Sequence, residues 1–130
     1  MPWTRPILDV FYEHFTKTKV EQMIKNDKIE IAPLIYMRGR TFKNCFIIGD
    51  ELQNTNIMQM KMLLTRIGEG SKMVITGDIE QKDISSISGL EYFLNLLKNN
   101  DDEAIGLVNF HYCDIVRSEI VKKIIKLYSI

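Results

Sequence analysis

The chain has 130 residues, the length of one ordinary domain, of which 45% are hydrophobic and 26% charged. This composition is typical of a folded globular protein rather than a disordered chain, and no apolar run reaches the roughly 18 residues that a membrane span requires. Formal net charge is zero, but residues 1–44 carry +3, residues 45–114 carry −6 and residues 115–130 carry +3. An acidic middle between basic ends suits a metal–nucleotide site near anionic ligands, although unsorted surface charge gives the same sums. The N-terminus has no hydrophobic signal region, which predicts a cytoplasmic or nuclear protein, the cytoplasm being the expected compartment.

Two helices are predicted first in chain order. The first carries an apolar stripe made by Ile7, Leu8, Phe11 and Phe15, and the second is expected to start at Thr18.

Strands are predicted at four short apolar runs: residues 29–35, 45–48, 73–76 and 105–110. Three of them are nearly continuous in apolar residues, as expected for strands that are covered on both faces of a parallel sheet.

Helical patterns fill the spaces between these strands. Asn56 and Gln59 suit the start of one helix, Ser88 and Glu91 the start of another, and a last helix is expected near Ser118. Alternating strands and helices predict an α/β fold with a mainly parallel sheet and flanking helices, in one domain over residues 1–130. The two cysteines, Cys45 and Cys113, have no companions at zinc-site spacing and are predicted to be reduced, packed thiols.

Two predicted strands end in carboxylates. The run 46–48 leads through Gly49 to Asp50 and Glu51, and the run 72–76 leads through Gly77 to Asp78 and Gln81. Ligands of α/β sheets bind at the carboxyl ends of the strands, where one carboxylate can hold Mg²⁺ while its neighbour activates a water. Each motif alone is also common at ordinary strand ends. Together, on neighbouring parallel strands, they predict one acidic edge.

Four ordered blocks of sequence, residues 29–41, 50–55, 59–68 and 71–78, closely resemble the PhoH family, and the resemblance runs from about Arg5 to Tyr128. It implies a P-loop NTPase-like fold related to superfamily-one helicases, ATP and Mg²⁺ as ligands, ring-like oligomers and RNA handling. By position, Asp50 would serve Mg²⁺, Glu51 would activate water, and Gln81 would sense the γ-phosphate. The resemblance also implies that Arg117 stabilises phosphate charge.

Three further residues belong to the predicted nucleotide site. Arg38 and Arg40 flank Gly39 and are expected to grip phosphates of nucleotide or RNA, although two solvated arginines on a turn are the plain alternative. Asp78 is expected to contact the nucleotide as well.

The chain departs from the family pattern in five ways. It contains no Gly-x-x-x-x-Gly-Lys-Ser/Thr string to cradle phosphates, and we expect the domain to be truncated on its N-terminal side. Gly49 stands where a bulky apolar residue is usual, and Leu52 where Ala is usual. The loop after Gln81 is short, and Ser118 and Glu119 replace a His-Pro pair.

These departures leave three functions open. The first is an ATP-binding protein of this kind whose phosphate loop lies on another chain or was lost from this reading frame. The second is a non-catalytic remnant that binds RNA or a partner ATPase, and the third is a metal-dependent nuclease or phosphatase using Asp50, Glu51 and Asp78. A missing upstream strand also predicts an exposed sheet edge or apolar face, and self-association through it. The expected partners are therefore RNA, further copies of the chain, or a chain that supplies the phosphate loop.

Overall fold

A computed structural model describes residues 4–128, which lie in two compact units, Met1–Leu96 and Leu97–Ile130. The first unit begins with two helices, α1 (Arg5–His14) and α2 (Lys17–Lys25). The Thr16 hydroxyl accepts a hydrogen bond from the Lys19 amide at 3.3 Å and so caps α2. The second helix therefore begins slightly before the predicted start at Thr18.

The sheet of the first unit has two parallel strands, β1 (Phe46–Gly49) and β2 (Lys72–Ile75). They pair in register, with Phe46 opposite Lys72 and Gly49 opposite Ile75. Parallel neighbours need a crossover connection, and helix α3 (Ile57–Leu64) supplies it. The α/β arrangement and the strands predicted at 45–48 and 73–76 are confirmed to within one residue.

Helix starts follow the predicted capping residues. The Asn56 side chain accepts from the Gln59 amide at 2.8 Å, and the Gln59 side chain accepts from the Asn56 amide at 2.9 Å, which makes a complete capping box for α3. Ser88 is buried and its hydroxyl accepts from the Glu91 amide at 3.1 Å, at the start of α4 (Gly89–Lys98). The chain therefore encodes the start of both helices locally.

The core lies on one face of the sheet. Its buried apolar residues come from four segments of the first unit: Met37, Leu52, Met60, Leu63 and Leu90. Gly49 is also buried, and a Cβ atom placed on it would lie 2.8 Å from Leu52 Cδ1. The Leu52 side chain thus occupies the space that a side chain at position 49 would need. Positions 49 and 52 are therefore coupled through one volume of the core, which Leu52 fills and Gly49 leaves free.

The other face of the sheet is exposed and apolar. Phe46 is 64% exposed, Ile48 47% and Val74 44%, and all three alternate with the residues that face the core. The prediction of an uncovered apolar sheet face is confirmed. Whether copies of the chain associate through it stays a prediction.

Residues 29–35, predicted to be a strand, are not one. Pro33 has no amide hydrogen to give to a ladder, and the chain instead forms a single 3-10 turn at Leu34–Tyr36, where the Tyr36 amide donates to the Pro33 carbonyl at 3.0 Å. Proline thus decides the local structure of this segment.

The second unit contains a 3-10 turn (Tyr112–Asp114) and helix α5 (Glu119–Tyr128), which starts where predicted. The Tyr112 hydroxyl donates to the Lys122 carbonyl at 3.2 Å. None of its residues up to 128 is buried. The predicted strand at 105–110 is wrong, because this run is entirely exposed and has no neighbouring strand among the described residues.

Both cysteines are free, but only Cys45 is partly buried, where its sulfur lies 3.4 Å from the Ser71 hydroxyl. Cys113 is exposed, so the prediction that both thiols are packed is wrong for Cys113. Across residues 4–128, every helix is too short or too polar to cross a bilayer.

Candidate functional site

Asp50 follows β1 directly and is held at the carboxyl edge of the sheet. The Thr76 hydroxyl, just after β2, donates a hydrogen bond to Asp50 Oδ1. Backbone hydrogen bonds continue the contact, because the Thr76 amide donates to the Gly49 carbonyl at 2.8 Å and the Leu52 amide donates to the Thr76 carbonyl at 3.1 Å. The two strand ends that the sequence predicts to meet therefore do meet.

Glu51 is exposed and has a left-handed backbone, with a φ of 55°. Left-handed geometry is uncommon for a residue other than glycine, and the chain bends at Glu51, directly after Asp50. The 3-10 turn Leu52–Asn54 follows. The adjacent carboxylates of Asp50 and Glu51 have different partners: the first accepts a hydrogen bond from Thr76 and the second accepts one from Gln53.

Gln53 joins the two strand ends through its side chain and is 1% exposed. Its Nε2 donates to Glu51 Oε2, while its Oε1 accepts from the Asp78 amide at 3.1 Å. Gln53 is not among the residues that the sequence predicts for the site. Its position two residues after a carboxylate on a polar strand exit was the available signal, but an amide there is indistinguishable from a solvated one until the second strand is placed.

Asp78 organises the second strand end. Its Oδ1 accepts from the Glu80 amide at 3.0 Å, and its Oδ2 accepts from Gln81 Nε2 at 2.8 Å. These bonds hold the 3-10 turn Ile79–Gln81. Four of the predicted site residues, Asp50, Glu51, Asp78 and Gln81, are thus linked into one hydrogen-bonded edge through Thr76 and Gln53.

Arg40 is committed to a different partner. Its guanidinium donates to both carboxylate oxygens of Glu30, at 2.6 and 2.9 Å, and lies over the Phe42 ring at 4.6 Å. The hydrogen bond from Arg40 lowers the pKa of Glu30, and the same bond raises the pKa of Arg40. Arg38 is exposed on the turn before Gly39, whose φ is 78°, and has no side-chain partner between residues 4 and 128.

Arg117 is exposed between the Tyr112–Asp114 turn and α5, in the second unit. Its predicted contact with phosphate charge stays a prediction.

The residues at this edge fit a metal ion that is carried by a phosphate ligand. Mg²⁺ prefers oxygen ligands and is usually held by one or two carboxylates together with substrate phosphates and water. Asp50 and Thr76 place a carboxylate and a hydroxyl side by side. Within residues 4–128, no three His, Cys, Asp or Glu side chains are grouped so as to hold a metal ion themselves.

Comparison with known proteins gives one family. Residues 1–129 match the family model described as PhoH-like protein. The chain is 44% identical to a PhoH-like protein of Synechocystis sp. and 43% identical to one of Bacillus subtilis, over 98% of its own length in each case. It is 39% identical to Protein PhoH of Escherichia coli (strain K12). The chain spans only 39%, 40% and 37% of these three relatives, respectively.

Proposed function

The chain belongs to the PhoH-like protein family, and on that premise we propose that it supplies the water-activating part of a Mg²⁺-dependent ATP-hydrolysing site in a cytoplasmic protein that handles RNA. One observation carries the proposal. The two acidic strand ends are hydrogen-bonded to each other at the ligand-binding edge of a parallel sheet.

Each side chain at the edge has a role in this proposal. Asp50, with the Thr76 hydroxyl beside it, holds Mg²⁺, which when bound with ATP neutralises phosphate charge. Glu51 is exposed and accepts the proton of the attacking water. Gln81, placed by Asp78, contacts the terminal phosphate through its amide.

The basic residues divide between structure and ligand binding. Arg40 fixes the turn through Glu30, whereas Arg38 is exposed and suits a phosphate of nucleotide or RNA. Arg117 would stabilise the charge on the transferred phosphoryl group.

A segment that carries the phosphate loop completes the proposal. The chain has no phosphate-binding string of its own, the relatives are more than twice as long, and one apolar face of its sheet is uncovered. A parallel sheet is normally covered on both faces. We therefore expect a polypeptide that carries a phosphate loop to cover Phe46, Ile48 and Val74.

Complementation tests this function. The chain is mixed with the part of the Bacillus subtilis PhoH-like protein that lies outside the matched region, and phosphate release from ATP with Mg²⁺ is followed. We expect hydrolysis by the mixture, and no saturable ATP binding by the chain alone in a calorimetric titration. Glu51→Gln should reduce turnover by about 100-fold or more, because it removes the proton acceptor.

Glu69→Gln is the matched control, since Glu69 is an exposed carboxylate on the turn between α3 and β2. Its turnover should equal that of the unmodified mixture. Hydrolysis that survives Glu51→Gln would contradict the assigned role. A mixture that forms a complex without hydrolysing ATP would instead support the non-catalytic alternative, a remnant that binds a partner ATPase or RNA.

A further inference from the structure

Gln53 is a buried side-chain amide at the acidic edge, and both of its ends are used. The Nε2 group donates to the Glu51 carboxylate in the first loop, and Oε1 accepts from the Asp78 amide in the second. With 1% of its surface exposed, water cannot readily replace either bond. A primary amide is suited to this place, because it donates to a carboxylate and accepts from an N–H group at once.

Gly77 makes the position of this amide possible. A Cβ atom at position 77 would lie 2.9 Å from the side-chain Oε1 of Gln53 and 3.2 Å from the backbone nitrogen of Gln53. The absence of a side chain there lets the first loop lie directly against the end of the second strand.

The Glu51 side chain is exposed, follows a left-handed backbone and, within residues 4–128, is hydrogen-bonded to Gln53 alone. An exposed glutamate samples many rotamers unless a bond holds it. The bond from a buried amide selects one direction for the carboxylate, and that amide is itself fixed by Asp78.

We propose that Gln53 is a positioning residue that makes the direction of the Glu51 carboxylate depend on the position of the Asp78 strand end. The functional meaning of this link rests on the proposed function, in which Glu51 accepts the proton. Gln81 extends the link, since its amide donates to Asp78 at 2.8 Å. A phosphate that accepts a hydrogen bond from the Gln81 amide would then shift Asp78, then Gln53 and finally Glu51. Water would be activated only when the phosphate is in place.

Nuclear magnetic resonance of the full chain tests the link without any need for ATP hydrolysis. The readout is the ¹⁵N–¹H signal of the Asp78 amide. Glu51→Gln removes the charge that the Gln53 amide faces, and it should shift the Asp78 signal although Glu51 and Asp78 share no direct hydrogen bond. In the Gln53→Met background, the same Glu51→Gln change should leave that signal in place.

A carboxylate change elsewhere provides the control. Glu69→Gln should leave the Asp78 signal unchanged in both backgrounds. Two results would overturn the proposal: an Asp78 signal that ignores Glu51→Gln, or one that moves equally in the original chain and in the Gln53→Met background.

If the Gln53→Met chain does not fold, exchanging the residue types at positions 51 and 53 tests the link instead. Gln53→Glu still accepts from the Asp78 amide but sets two carboxylates against each other, so we expect a shifted Asp78 signal and a lower unfolding temperature. Adding Glu51→Gln restores a donor–acceptor pair with reversed polarity and should return both readouts toward the original values. If glutamine at position 53 were needed only for structure, a change at the exposed Glu51 would not restore either readout. Such a lack of rescue would overturn the link.

Turnover gives the functional readout in the complemented mixture. Gln53→Glu should lower kcat by about 10- to 100-fold with KM nearly unchanged, because the base is misdirected while nucleotide contacts remain. Ser88→Ala is the matched structural control, since Ser88 is equally buried and loses a hydrogen bond at α4. A proportionate loss of kcat in Ser88→Ala would contradict a specific role for Gln53. If the mixture hydrolyses no ATP, the proposed function fails, while the Asp78 signal still decides whether the link exists.

Discussion

In the first unit, the apolar runs at 46–49 and 72–75 are paired strands, whereas the apolar run at 105–110 in the second unit is exposed along its whole length. All three runs have the composition of strands. The difference is that the first two are joined by α3, which brings them side by side and buries Met60 and Leu63 on the core face. Apolar composition alone therefore does not make a strand; a hydrogen-bonded neighbour and a covering helix are required.

The same difference separates α3 from α5. Helix α5 contains both apolar residues and lysines. Its Leu127 is 71% exposed, whereas Leu63 in α3 is only 3% exposed. Stability should consequently reside in the first unit.

Replacing one leucine in each unit tests this comparison directly and should give the largest change in unfolding free energy. Leu63→Ala should lower the free energy of unfolding by about 2–5 kcal/mol, because it removes buried surface and leaves a cavity. Leu127→Ala should change it by less than about 0.5 kcal/mol. Urea unfolding followed by circular dichroism measures both, and equal losses would show that the second unit has a core of its own.

A glycine pair gives the next largest effect. Gly49→Val should cost about 1–3 kcal/mol of unfolding free energy, since its Cβ would meet Leu52 Cδ1 at 2.8 Å and Leu63 Cδ2 at 3.3 Å. Gly106→Val is the control in the second unit, because nothing lies within 4 Å of a Cβ there, and it should be nearly neutral. Urea unfolding measures this pair as well, and a Gly49→Val chain as stable as the original would show that the core can give way around position 49.

The exchange of volume between positions 49 and 52 is tested by a double-mutant cycle. The double variant Gly49→Val with Leu52→Ala should lose less unfolding free energy than the sum of the losses in the two single variants, by about 1 kcal/mol or more. Additive losses would contradict the conclusion that Leu52 fills the space beside Gly49.

An acid titration gives the smallest effect. Because Arg40 lowers the pKa of Glu30 in the folded chain, the pair stabilises the fold fully above the ordinary value of 4.5. That contribution is lost as the pH falls through the lowered, folded-state pKa. At neutral pH, Glu30→Gln should lower the unfolding temperature by no more than about 2 °C, since the pair is half exposed.

The difference between Glu30→Gln and the original chain should vanish below the folded-state pKa. Glu103→Gln, at an exposed position in the second unit, is the matched control and should leave the unfolding temperature at neutral pH nearly unchanged. A Glu30→Gln deficit that persists in strong acid would mean that the side chain stabilises the fold by packing rather than by charge.

Much of the fold can be predicted because its signals are local. Asn56 with Gln59 and Ser88 ahead of Glu91 mark helix starts by hydrogen bonds that span three residues. The wrong predictions are of another kind. The strand predicted at residues 29–35 is inferred from apolar composition and ignores Pro33, which cannot donate a backbone hydrogen bond. The strand predicted at 105–110 requires a partner strand.

The site divides in the same way. Asp50, Glu51 and Asp78 can be placed at one edge because parallel strands share their carboxyl ends. Gln53 cannot, because its role depends on an amide from a strand end that is 25 residues away. The pairing of Arg40 with Glu30 is likewise invisible, since it joins a turn to a segment whose composition predicts a strand.

In the proposed function, the left-handed backbone at Glu51 sets stability against catalysis. Glycine adopts that conformation without strain, whereas other residues incur a cost of about 1 kcal/mol or more. Selection for heat resistance alone would therefore favour glycine at position 51 and would discard the carboxylate. A library of variants screened for stability and one screened for turnover should diverge first at this residue.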